Sequence, residues 1–538
     1  MSANRLHQDK TKQNKTKHHE DVCRTTQSPN FEVLFYGFIR AAATNMAQQH
    51  LAKRYDIIIN GGGIVGFTLL SSLLRSPTLN RYSVLLIERA RQPKDPIFDT
   101  ASTDADEDGP VDRKFSNRVS SITLNSMQSL EKLGVWSQVK PNAKNVRNIK
   151  VWNYNYADKI IFEQKQSNQC RFKHQKDVMF SVVENNVLSS ALLQNIYSLP
   201  KGRESIIWNH ELDDLSGSEG LVNLKIRSNE DAENLVNISA PLVLGCDGYN
   251  SKVRKLTKLS YRECNLNKTA VVGTVKMATR FDGESQHNDV AYQRFSAEKD
   301  TVAALLPLDD QYCSFVISAP TDYAKHLLEC EDEAFIDEFN LLLSVPENPA
   351  NTGLRVAHKL SNSLYDNIQN LIQLLPASIR PDKYQYQMGS GDPPCLESVV
   401  ASSRASFPLH FGTTSPKMTA SLNSKWAQVA LLGDAAHRVH PLAGQGLNLG
   451  IQDATVLVKH LEKLSRAGER VFNEADLRML GKALKRFEIE RQAYIIPMSA
   501  GILGMQALFN AIPSRTLASV NKCNFVKDTS VAMANGCS

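Results

Sequence analysis

The residues best suited to chemistry lie in one stretch near the end of the chain, residues 426–454. Within it, residues 429–432 are apolar and partly β-branched, which is typical of a buried parallel strand. Gly433 and Asp434 then interrupt the apolar run. The pattern therefore predicts a carboxylate at the end of a strand, beside whatever the next turn encloses.

A glycine-lined turn follows this predicted strand. Small residues lead through Pro441 to Gly444, Gln445 and Gly446. Apolar residues then recur at helical spacing, which predicts a helix that begins near Gly446. Free backbone N–H groups and the positive end of a helix dipole stabilise negative charge. The predicted ligand is therefore flat, accepts close approach of the backbone and becomes anionic. The alternative is a strand–loop–helix connection that is glycine-rich without binding anything.

A second ligand-binding pattern lies near residue 60. Residues 55–60 predict a buried strand, and Gly61, Gly63 and Gly66 follow it in G-x-G-x-x-G spacing. The first glycine permits a tight turn, the second admits a pyrophosphate, and the third lets helix and strand pack closely. The next predicted strand delivers Glu88 about 20 residues later, where this pattern places a ribose-binding acid. The context predicts an adenine-dinucleotide site, and a solvated strand end is the alternative for Glu88.

Together these motifs resemble those of the aromatic-ring hydroxylases, the single-component FAD monooxygenases related to p-hydroxybenzoate hydroxylase. The resemblance implies an α/β protein with an FAD-binding dinucleotide fold, an inserted antiparallel substrate sheet and C-terminal helices. It implies that Asp434 holds the ribityl chain and that Pro441 lies beside the isoalloxazine ring. The cofactor-binding residues that it implies are Gly61, Gly63, Gly66, Glu88, Arg118, Asp247, Gly433, Asp434, Pro441, Gly444, Gln445, Gly446 and Asn448.

Two of these residues belong to further motifs. Arg118, in the sequence SNRVSSI, resembles the flavin-contacting arginine of the family, and a surface arginine at a helix start is the alternative. Asp247 opens the pattern Asp-Gly-x-x-Ser-x-x-Arg, which includes Ser251 and Arg254 and is associated in the family with flavin and reductant binding. Asp-Gly alone is a common turn pair, so the weight of this match comes from its position after a strand.

A narrower resemblance rests on SNRVSSI, AYQRF followed by ALLPL, RASFPL and GDAAHRVHPLAGQG. These segments are similar to the flavin monooxygenases of ubiquinone biosynthesis, from about Tyr55 to the C-terminal helices. The resemblance implies that O2 reacts through a flavin C4a-hydroperoxide to hydroxylate a polyprenylated hydroxybenzoate-type ring at C5. No side chain is then required as a nucleophile. Lys299 and Asp300 depart from the expected Gly-Pro pair, which affects the loop over the substrate cavity.

The same resemblance implies a peripheral protein on the matrix side of the mitochondrial inner membrane, in a complex with other ubiquinone-biosynthesis proteins. It favours a ferredoxin and its reductase as electron donor, with NAD(P)H as the alternative. A non-enzymatic escort-type protein of the same architecture and an NAD-linked dehydrogenase are the other functions that we considered. Neither requires Pro441 and Gln445 to be arranged around a flavin ring.

The chain is longer than one ordinary domain. Short β-rich runs between residues 270 and 318, with a return strand at 404–409, predict the antiparallel substrate sheet. Residues 320–390 are expected to be helical, with Phe335, Phe339, residues 341–343 and residues 371–375 as packing positions. The predicted divisions are a leader at 1–53, an FAD-binding domain in two parts at 54–262 and 411–490, a substrate domain at 263–410 and a helical region at 491–538.

The amino-acid composition limits the kinds of ligand and partner that the protein is expected to bind. A net charge of +6 over 538 residues is too small to indicate nucleic-acid binding. The nine cysteines form no C-x-x-C pair, which fits a reducing compartment and argues against a zinc ribbon. His437 and His440 lack a third ligand at suitable spacing, so no metal is expected. The leader is polar at its start and contains Lys and acidic residues rather than Arg, so it leaves localisation open.

Residues 493–513 carry no charge and approach the roughly 20 residues of a membrane span. Pro497 and several polar residues interrupt this stretch, which favours a helix packed on the flavin-binding domain over a span. A substrate with a polyprenyl tail stays in the bilayer, because each buried CH₂ is worth about 0.8 kcal/mol. We therefore expect an apolar face of this helix, Ile502, Leu503, Leu508 and Phe509, to dock on the membrane.

Overall fold

The computed structural model describes residues 54–93, 115–153, 160–163, 178–218, 220–231, 233–278, 289–296, 299–343, 393–414, 416–422, 427–439, 444–466, 472 and 477–511. All of them belong to one compact unit, Lys53–Ser538. The predicted leader, the predicted site residue Pro441 and the helical segment expected at 344–390, with residues 371–375, lie outside the described residues, as does His440.

A mainly parallel sheet carries the glycine-rich motifs. Apart from the edge strand at 419–422, its strands are mostly apolar and buried, as expected of a sheet covered on both faces. They are β1 (Ile57–Asn60), β2 (Val84–Ile87), β8 (Ile206–Ile207), β12 (Leu242–Gly245), β19 (Thr419–Leu422) and β20 (Ala427–Leu431). The order across the sheet is β19-β20-β12-β1-β2-β8, in which only β19 runs antiparallel to its neighbour.

Nine helices lie in the described residues. Their bounds are α1 (Ile64–Arg75), α2 (Leu124–Lys132), α3 (Trp136–Val139), α4 (Asn185–Tyr197), α5 (Lys252–Leu256), α6 (Thr321–Glu329), α7 (Asp332–Leu343), α8 (Gln445–Arg466) and α9 (Leu477–Ala511). Of these, α6 and α7 belong to the second sheet described below. The helix predicted near Gly446 is α8, and it packs against both α1 and α9. Among the helices of the described residues, none is long and apolar enough to cross a membrane.

The second large sheet is the predicted substrate sheet. Its strands are β5 (Asn148–Asn153), β6 (Ile160–Glu163), β13 (Arg262–Met277), β14 (Val290–Ser296), β15 (Thr301–Pro307), β16 (Tyr312–Pro320), β17 (Leu396–Val399), β18 (Ala405–Thr413) and β21 (His437–Arg438). The order is β21-β18-β13-β16-β15-β14-β5-β6, and β17 also pairs with β13. All the predicted strands are present, and β14 pairs in parallel with β5.

Two helices close one face of this second sheet through aromatic packing. The ring centroids of Phe335 and Phe339 both lie 5.2 Å from that of Phe315. Both predicted packing positions are therefore confirmed, and residues 342 and 343 are buried as well. The prediction was wrong for Leu341, which is 36% exposed, because it lies on the opposite side of α7 from the phenylalanines.

Two small sheets complete the described fold. One contains β9 (His210–Ser218), β10 (Leu221–Ser228) and β11 (Leu235–Ala240), and the other contains β3 (Val119–Thr123), β4 (Lys144–Val146) and β7 (Phe180–Glu184). The α/β architecture with an inserted, mainly antiparallel sheet confirms the predicted fold class.

Candidate active site

Three motifs meet at the carboxyl edge of the parallel sheet. Asn60, Gly245 and Leu431 occupy the same level on the neighbouring strands β1, β12 and β20. Beyond that level, the N–H of Cys246 donates to the Asn60 oxygen at 2.8 Å, and the N–H of Leu432 donates to the Gly245 oxygen at 2.9 Å. The loops after the three strands are thus side by side, where open α/β sheets bind ligands.

The three glycines of the first motif have different surroundings. A Cβ on Gly61, whose φ is +110°, would lie 2.5 Å from the Cys246 oxygen. A Cβ on Gly66 would lie 1.9 Å from the Gly61 oxygen. A Cβ on Gly63, in contrast, would meet no atom within 4 Å. Two glycines therefore serve the packing of the protein itself, while Gly63 opens onto free space that fits a pyrophosphate.

Glu88 braces this glycine turn. Its Oε2 accepts a hydrogen bond from the Gly62 N–H at 2.5 Å, and its Oε1 accepts one from the Ala90 N–H at 2.8 Å. A carboxylate has about four lone-pair sites, so both oxygens retain capacity for the hydroxyls of a ribose. The predicted ribose contact fits this geometry and stays a prediction.

Asp247 uses its carboxylate within the protein. Oδ2 accepts from the N–H groups of Lys252 at 2.7 Å and Val253 at 3.2 Å, which caps α5. Oδ1 accepts from the Ser251 hydroxyl at 2.6 Å, and the Asn60 side-chain amide donates to Oδ2 at 3.1 Å. The side chain thus fixes the loop after β12 against β1. Its predicted contact with the cofactor stays a prediction.

Arg254, the last residue of the same motif, joins two loops. It is buried, and its guanidinium donates to the Ala435 oxygen at 2.8 Å and to the Tyr249 oxygen at 2.6 Å. The guanidinium carbon also lies 3.9 Å from the ring centroid of Tyr261. Arg254 therefore ties the loop after β12 to the loop after β20.

Asp434 faces the beginning of α8. A Cβ on Gly446 would lie 3.9 Å from Asp434 Oδ1, so the carboxylate and the first turn of the helix border the same space. The residue as a whole is exposed to solvent. Desolvation by the neighbouring protein nevertheless raises the pKa of the Asp434 carboxyl, and the nearby His437 and Arg438 oppose that rise. The preceding residue, Gly433, has a φ of +59°, which glycine adopts without strain.

The turn before α8 is fastened to β3. A Cβ on Gly444 would lie 2.1 Å from the Ser121 hydroxyl oxygen, so only glycine fits there. Asn448 accepts from the Thr123 N–H at 3.0 Å and donates to the oxygens of Ser121 at 2.7 Å and Gly444 at 3.1 Å. Asn448 and its neighbour Gln445 are both buried. The cofactor contacts predicted for these residues stay predictions, and the side chain of Asn448 positions the turn.

Arg118 presents a contrasting case. Its side chain is exposed and makes no hydrogen bond or ion pair with the residues that the structure describes. Its backbone is held, because the Asn185 N–H donates to the Arg118 oxygen at 2.9 Å. The guanidinium is thus available for a ligand, and its predicted flavin contact stays a prediction.

A buried ionic network behind the site was missed in the sequence. Asp453 is fully buried in α8, and its Oδ2 accepts from the Gly433 N–H at 2.9 Å. His437 Nε2 lies 2.7 Å from the same oxygen, and Arg491 Nε donates to Oδ1 at 2.6 Å. Desolvation alone would raise the pKa of Asp453, but His437 and Arg491 overcome it and hold the pKa below its usual value. The sequence signal that could have indicated this network is Asp453, an aspartate on the apolar face of the predicted helix.

The ionic network accounts for His437, which was considered above as a metal ligand. In the described part of the chain, no group of His, Cys, Asp and Glu side chains could hold a metal ion. His437 is instead bonded to Asp453, and through β21 it pairs with Thr413 of β18. The loop that carries Asp434 is therefore attached to the edge of the substrate sheet.

Helix α9 packs on the parallel sheet, as predicted. Glu488 accepts from the N–H groups of Met418 at 2.8 Å and Thr419 at 3.0 Å, which fixes the start of β19. Arg491 reaches Asp453 one turn later. The predicted docking face was wrong at Ile502, which is 2% exposed and packs inward. The side chains of Leu503, Leu508 and Phe509 lie outside the described residues.

Lys299 and Asp300, which replace the expected Gly-Pro pair, fasten the β14–β15 hairpin. Lys299 Nζ donates to the Tyr323 hydroxyl at 3.0 Å and to Glu338 Oε1 at 3.2 Å. Asp300 has a φ of +47° and accepts from Lys268 Nζ at 2.6 Å. This hairpin is therefore tied to α6, α7 and β13 by charged side chains.

Sequence comparisons agree with the site. The family described as "FAD binding domain" matches residues 111–342 and 414–476. A protein of Xenopus tropicalis named "Ubiquinone biosynthesis monooxygenase COQ6, mitochondrial" is 30% identical over 492 residues, which are 89% of this chain and 93% of the relative. The identically named human protein is 27% identical, with 86% of each chain covered.

Solved structures share the fold. PqsL of Pseudomonas aeruginosa, described as a probable FAD-dependent monooxygenase, has a TM-score of 0.53 at 18% identity, and 89% of this chain and 99% of that chain are covered. The p-nitrophenol 4-monooxygenase PnpA of Pseudomonas putida has a TM-score of 0.55 at 14% identity, with 90% and 96% covered.

The open space at Gly63 suits the pyrophosphate of a flavin dinucleotide, and the carboxylate of Asp434 beside α8 suits its ribityl chain. The predicted cofactor, FAD, and the predicted monooxygenase class are thus confirmed, and an escort-type protein and an NAD-linked dehydrogenase are excluded. This chain is an FAD-dependent monooxygenase and belongs to the family of mitochondrial ubiquinone biosynthesis monooxygenases COQ6.

Proposed function

We propose that the protein hydroxylates the aromatic ring of a polyprenylated hydroxybenzoate-type precursor of ubiquinone, at ring position C5. The observation that carries the proposal is the match to a ubiquinone biosynthesis monooxygenase over 89% of this chain and 93% of the relative. A match of that extent includes both the parallel sheet with the glycine motifs and the substrate sheet.

The join between the two sheets supports a ring-hydroxylation site. Gly412 and Thr413 of β18 pair with Arg438 and His437 of β21, only a few residues after Asp434. An aromatic ring held between the substrate sheet and the Asp434 loop would face the flavin and be shielded from water. Exclusion of water protects a reactive oxygen species from unproductive decay.

The residues of the chain supply binding and electrostatics, while bound FAD supplies the activation of O2. Gly63 would admit the pyrophosphate, and the carboxylate of Asp434 would accept a hydrogen bond from the ribityl chain. The backbone N–H groups in the first turn of α8, from Gln445, would stabilise negative charge on the reduced ring. The buried Asp453 holds the Gly433 N–H and thereby orients the loop that carries Asp434.

Incorporation of labelled oxygen tests the proposed reaction. The purified protein, a short-chain prenylated 4-hydroxybenzoate, ¹⁸O₂ and an electron supply of NADPH, ferredoxin and its reductase should yield a product with one ¹⁸O atom at C5, as located by mass spectrometry and NMR; the second oxygen atom leaves as water. The variant Asp434→Ala, assayed at equal protein concentration, provides the negative control. Unlabelled product, or label at another ring position, would contradict the proposed reaction or its position.

We further propose that electrons reach the flavin from a ferredoxin and its reductase rather than directly from NAD(P)H. This choice is motivated by the resemblance to the ubiquinone-biosynthesis enzymes. Anaerobic mixing with substrate should leave the flavin absorbance unchanged with NADPH alone and bleach it when ferredoxin and its reductase are added. Rapid bleaching by NADPH alone would refute the choice.

The proposed location is the matrix side of the mitochondrial inner membrane, as a peripheral protein in a complex with other ubiquinone-biosynthesis proteins. The polyprenyl tail of the substrate motivates it, since leaving the bilayer costs about 0.8 kcal/mol per CH₂. Carbonate extraction of isolated mitochondria should release the protein from the membrane. Retention in the membrane pellet would contradict a peripheral association.

A further inference from the structure

The solvent-facing side of α9 has an unusual composition. Ile489 is 58% exposed and Ile496 is 50% exposed, although large apolar side chains are usually buried. They are seven residues apart and therefore lie on the same helical face. Ala493, Pro497 and Ala500 are exposed on this face as well. We call residues 489, 493, 496, 497 and 500 the apolar half of this face; it is about 16 Å long at 1.5 Å per residue.

The same face begins with a basic half. Lys482, Lys485 and Arg486 are exposed one to two turns before Ile489. Lys485 bonds to Glu488 of the same helix. Lys482 and Arg486 form no ion pair with the residues that the structure describes. Glu490 borders the face, but its carboxylate accepts from Lys459 at 2.8 Å and lies 2.8 Å from His460 Nε2, so its charge is compensated.

We propose that this face of α9 docks the protein on an anionic lipid bilayer, with the apolar half inserted and the basic half against the headgroups. The inference rests on the membrane location proposed above and places the contact on the side of α9 opposite the buried Ile502. Basic side chains beside exposed aliphatic ones are the composition of helices that lie in a membrane interface. Each Lys or Arg near an anionic surface contributes attraction.

The charges argue against a second copy of the chain as the occupant. If two such faces paired in antiparallel orientation, the basic half of each would cover the apolar half of the other and bury unpaired charge. In parallel orientation, like charges would meet. Both arrangements are costly, because desolvated charges need partners. An anionic bilayer satisfies both halves at once.

The opposite side of α9 explains why the docking face is rigid. Glu488 and Arg491 anchor the helix to β19 and α8 through buried hydrogen bonds, and Ile495 and Met498 are buried between them and Ile502. A helix held in this way presents Ile489 and Ile496 without any rearrangement. The flavin-binding loop and the docking face are thus attached to the same helix.

Vesicle sedimentation tests the proposal with the FAD-loaded, full-length protein. The vesicles are phosphatidylcholine alone or an equal mixture of phosphatidylcholine and phosphatidylglycerol. The double variant Ile489→Glu with Ile496→Glu should lose affinity by about three- to tenfold per isoleucine, since each forfeits burial of about half a side chain. Lys482→Glu with Arg486→Glu should lose at least about fivefold per position on the anionic vesicles only. High salt should reduce the second effect.

A matched control lies on another surface. Leu235 of β11 is 49% exposed and Lys225 of β10 is exposed, so Leu235→Glu with Lys225→Glu makes the same kind of change elsewhere. This control should bind vesicles as the wild type does. Flavin absorbance and hydroxylation of the short-chain substrate should be unchanged in every variant, because none of these residues lies in the flavin site.

The possible outcomes separate this inference from the proposed function. The docking face would be overturned if the wild-type protein bound neither vesicle, or if the α9 variants bound as well as the control. Hydroxylation of the short-chain substrate would still support the proposed function in that case. Variants that keep vesicle binding but change the sedimentation coefficient would show a protein–protein interface instead. Loss of vesicle binding in the α9 variants alone, with flavin and turnover intact, would establish the face.

Discussion

Replacing Arg491 by Met should separate α9 from the flavin-binding loop. Arg491 is 4% exposed, and its Nε lies 2.6 Å from an oxygen of Asp453, which is 0% exposed. Removing one partner of a buried ion pair leaves an uncompensated charge and costs about 3–5 kcal/mol. Loss of the hydrogen bond to the Leu449 oxygen, 3.2 Å long, adds about 1 kcal/mol.

The Arg491→Met substitution should also weaken FAD binding. Asp453 also accepts from the Gly433 N–H, so a displaced carboxylate loosens the loop that presents Asp434. One weakened hydrogen bond of about 1 kcal/mol corresponds to a roughly fivefold rise in the FAD dissociation constant. Denaturant midpoints of the FAD-free protein measure the first effect, and fluorescence titration with FAD measures the second.

The loss of stability caused by Arg491→Met should depend on pH. The folded-state pKa of Asp453 is held below its unfolded value, so the pair contributes stability above the unfolded pKa of about 3.9. That contribution is lost as pH falls through the folded pKa. The difference between wild type and Arg491→Met should therefore be full at neutral pH and shrink as the medium becomes acidic.

The exposed pair between the same two helices is the control. Lys459, 51% exposed, donates to Glu490 at 2.8 Å, and exposed pairs are worth about 0–1 kcal/mol. Lys459→Met should therefore change neither the midpoint nor the FAD affinity appreciably. Equal midpoints for the two variants would refute the stabilising role of the network. A lower midpoint with unchanged FAD affinity would refute the coupling to Gly433.

Four further substitutions probe the two sheets. Gly63→Val should fold yet lose FAD, because its Cβ meets no protein atom but would enter the space of the pyrophosphate. Gly66→Ala should fail to fold, because its Cβ would collide with the Gly61 oxygen. Flavin stoichiometry and circular dichroism distinguish these results. Asp434→Ala should weaken FAD binding without lowering the stability of the FAD-free protein at neutral pH, since desolvation raises the pKa of that carboxyl; wild-type FAD affinity would disprove its assignment. Phe335→Ala should cost about 3–5 kcal/mol in the substrate sheet, and a flavin content as high as wild type would show that the parallel sheet is unaffected.

Local patterns were enough to predict the parallel strands and the glycine motifs. The run at 57–60, the turn at Gly61 with its φ of +110° and the close contact between Gly61 and Gly66 are set within a few residues, so the sequence pattern carries them directly. The strands of the substrate sheet were also predicted, because each is a short β-rich run bounded by turn residues.

Features that depend on distant packing could not be predicted in this way. Asp453 and Arg491 lie on different helices, and nothing in either local pattern indicates that they meet. The buried side of α9 was predicted wrongly at Ile502, because an uncharged helix carries no pattern that separates its two faces. The prediction that Leu341 packs inward was wrong for a related reason, since three consecutive leucines cannot all face inward from one helix.

The position of Cys246 has a consequence for oxidative damage. Cys246 directly precedes Asp247 and packs on the glycine turn, since a Cβ on Gly66 would lie 3.5 Å from the Cys246 Cβ. Burial raises the pKa of Cys246 well above the usual thiol value, and the charges of Asp247 and Asp453 raise it further. Peroxides oxidise the thiolate rather than the thiol. A protein that handles oxygen beside a cysteine thus keeps that sulfur protonated, and Cys264, which is exposed, is the more accessible target for oxidants.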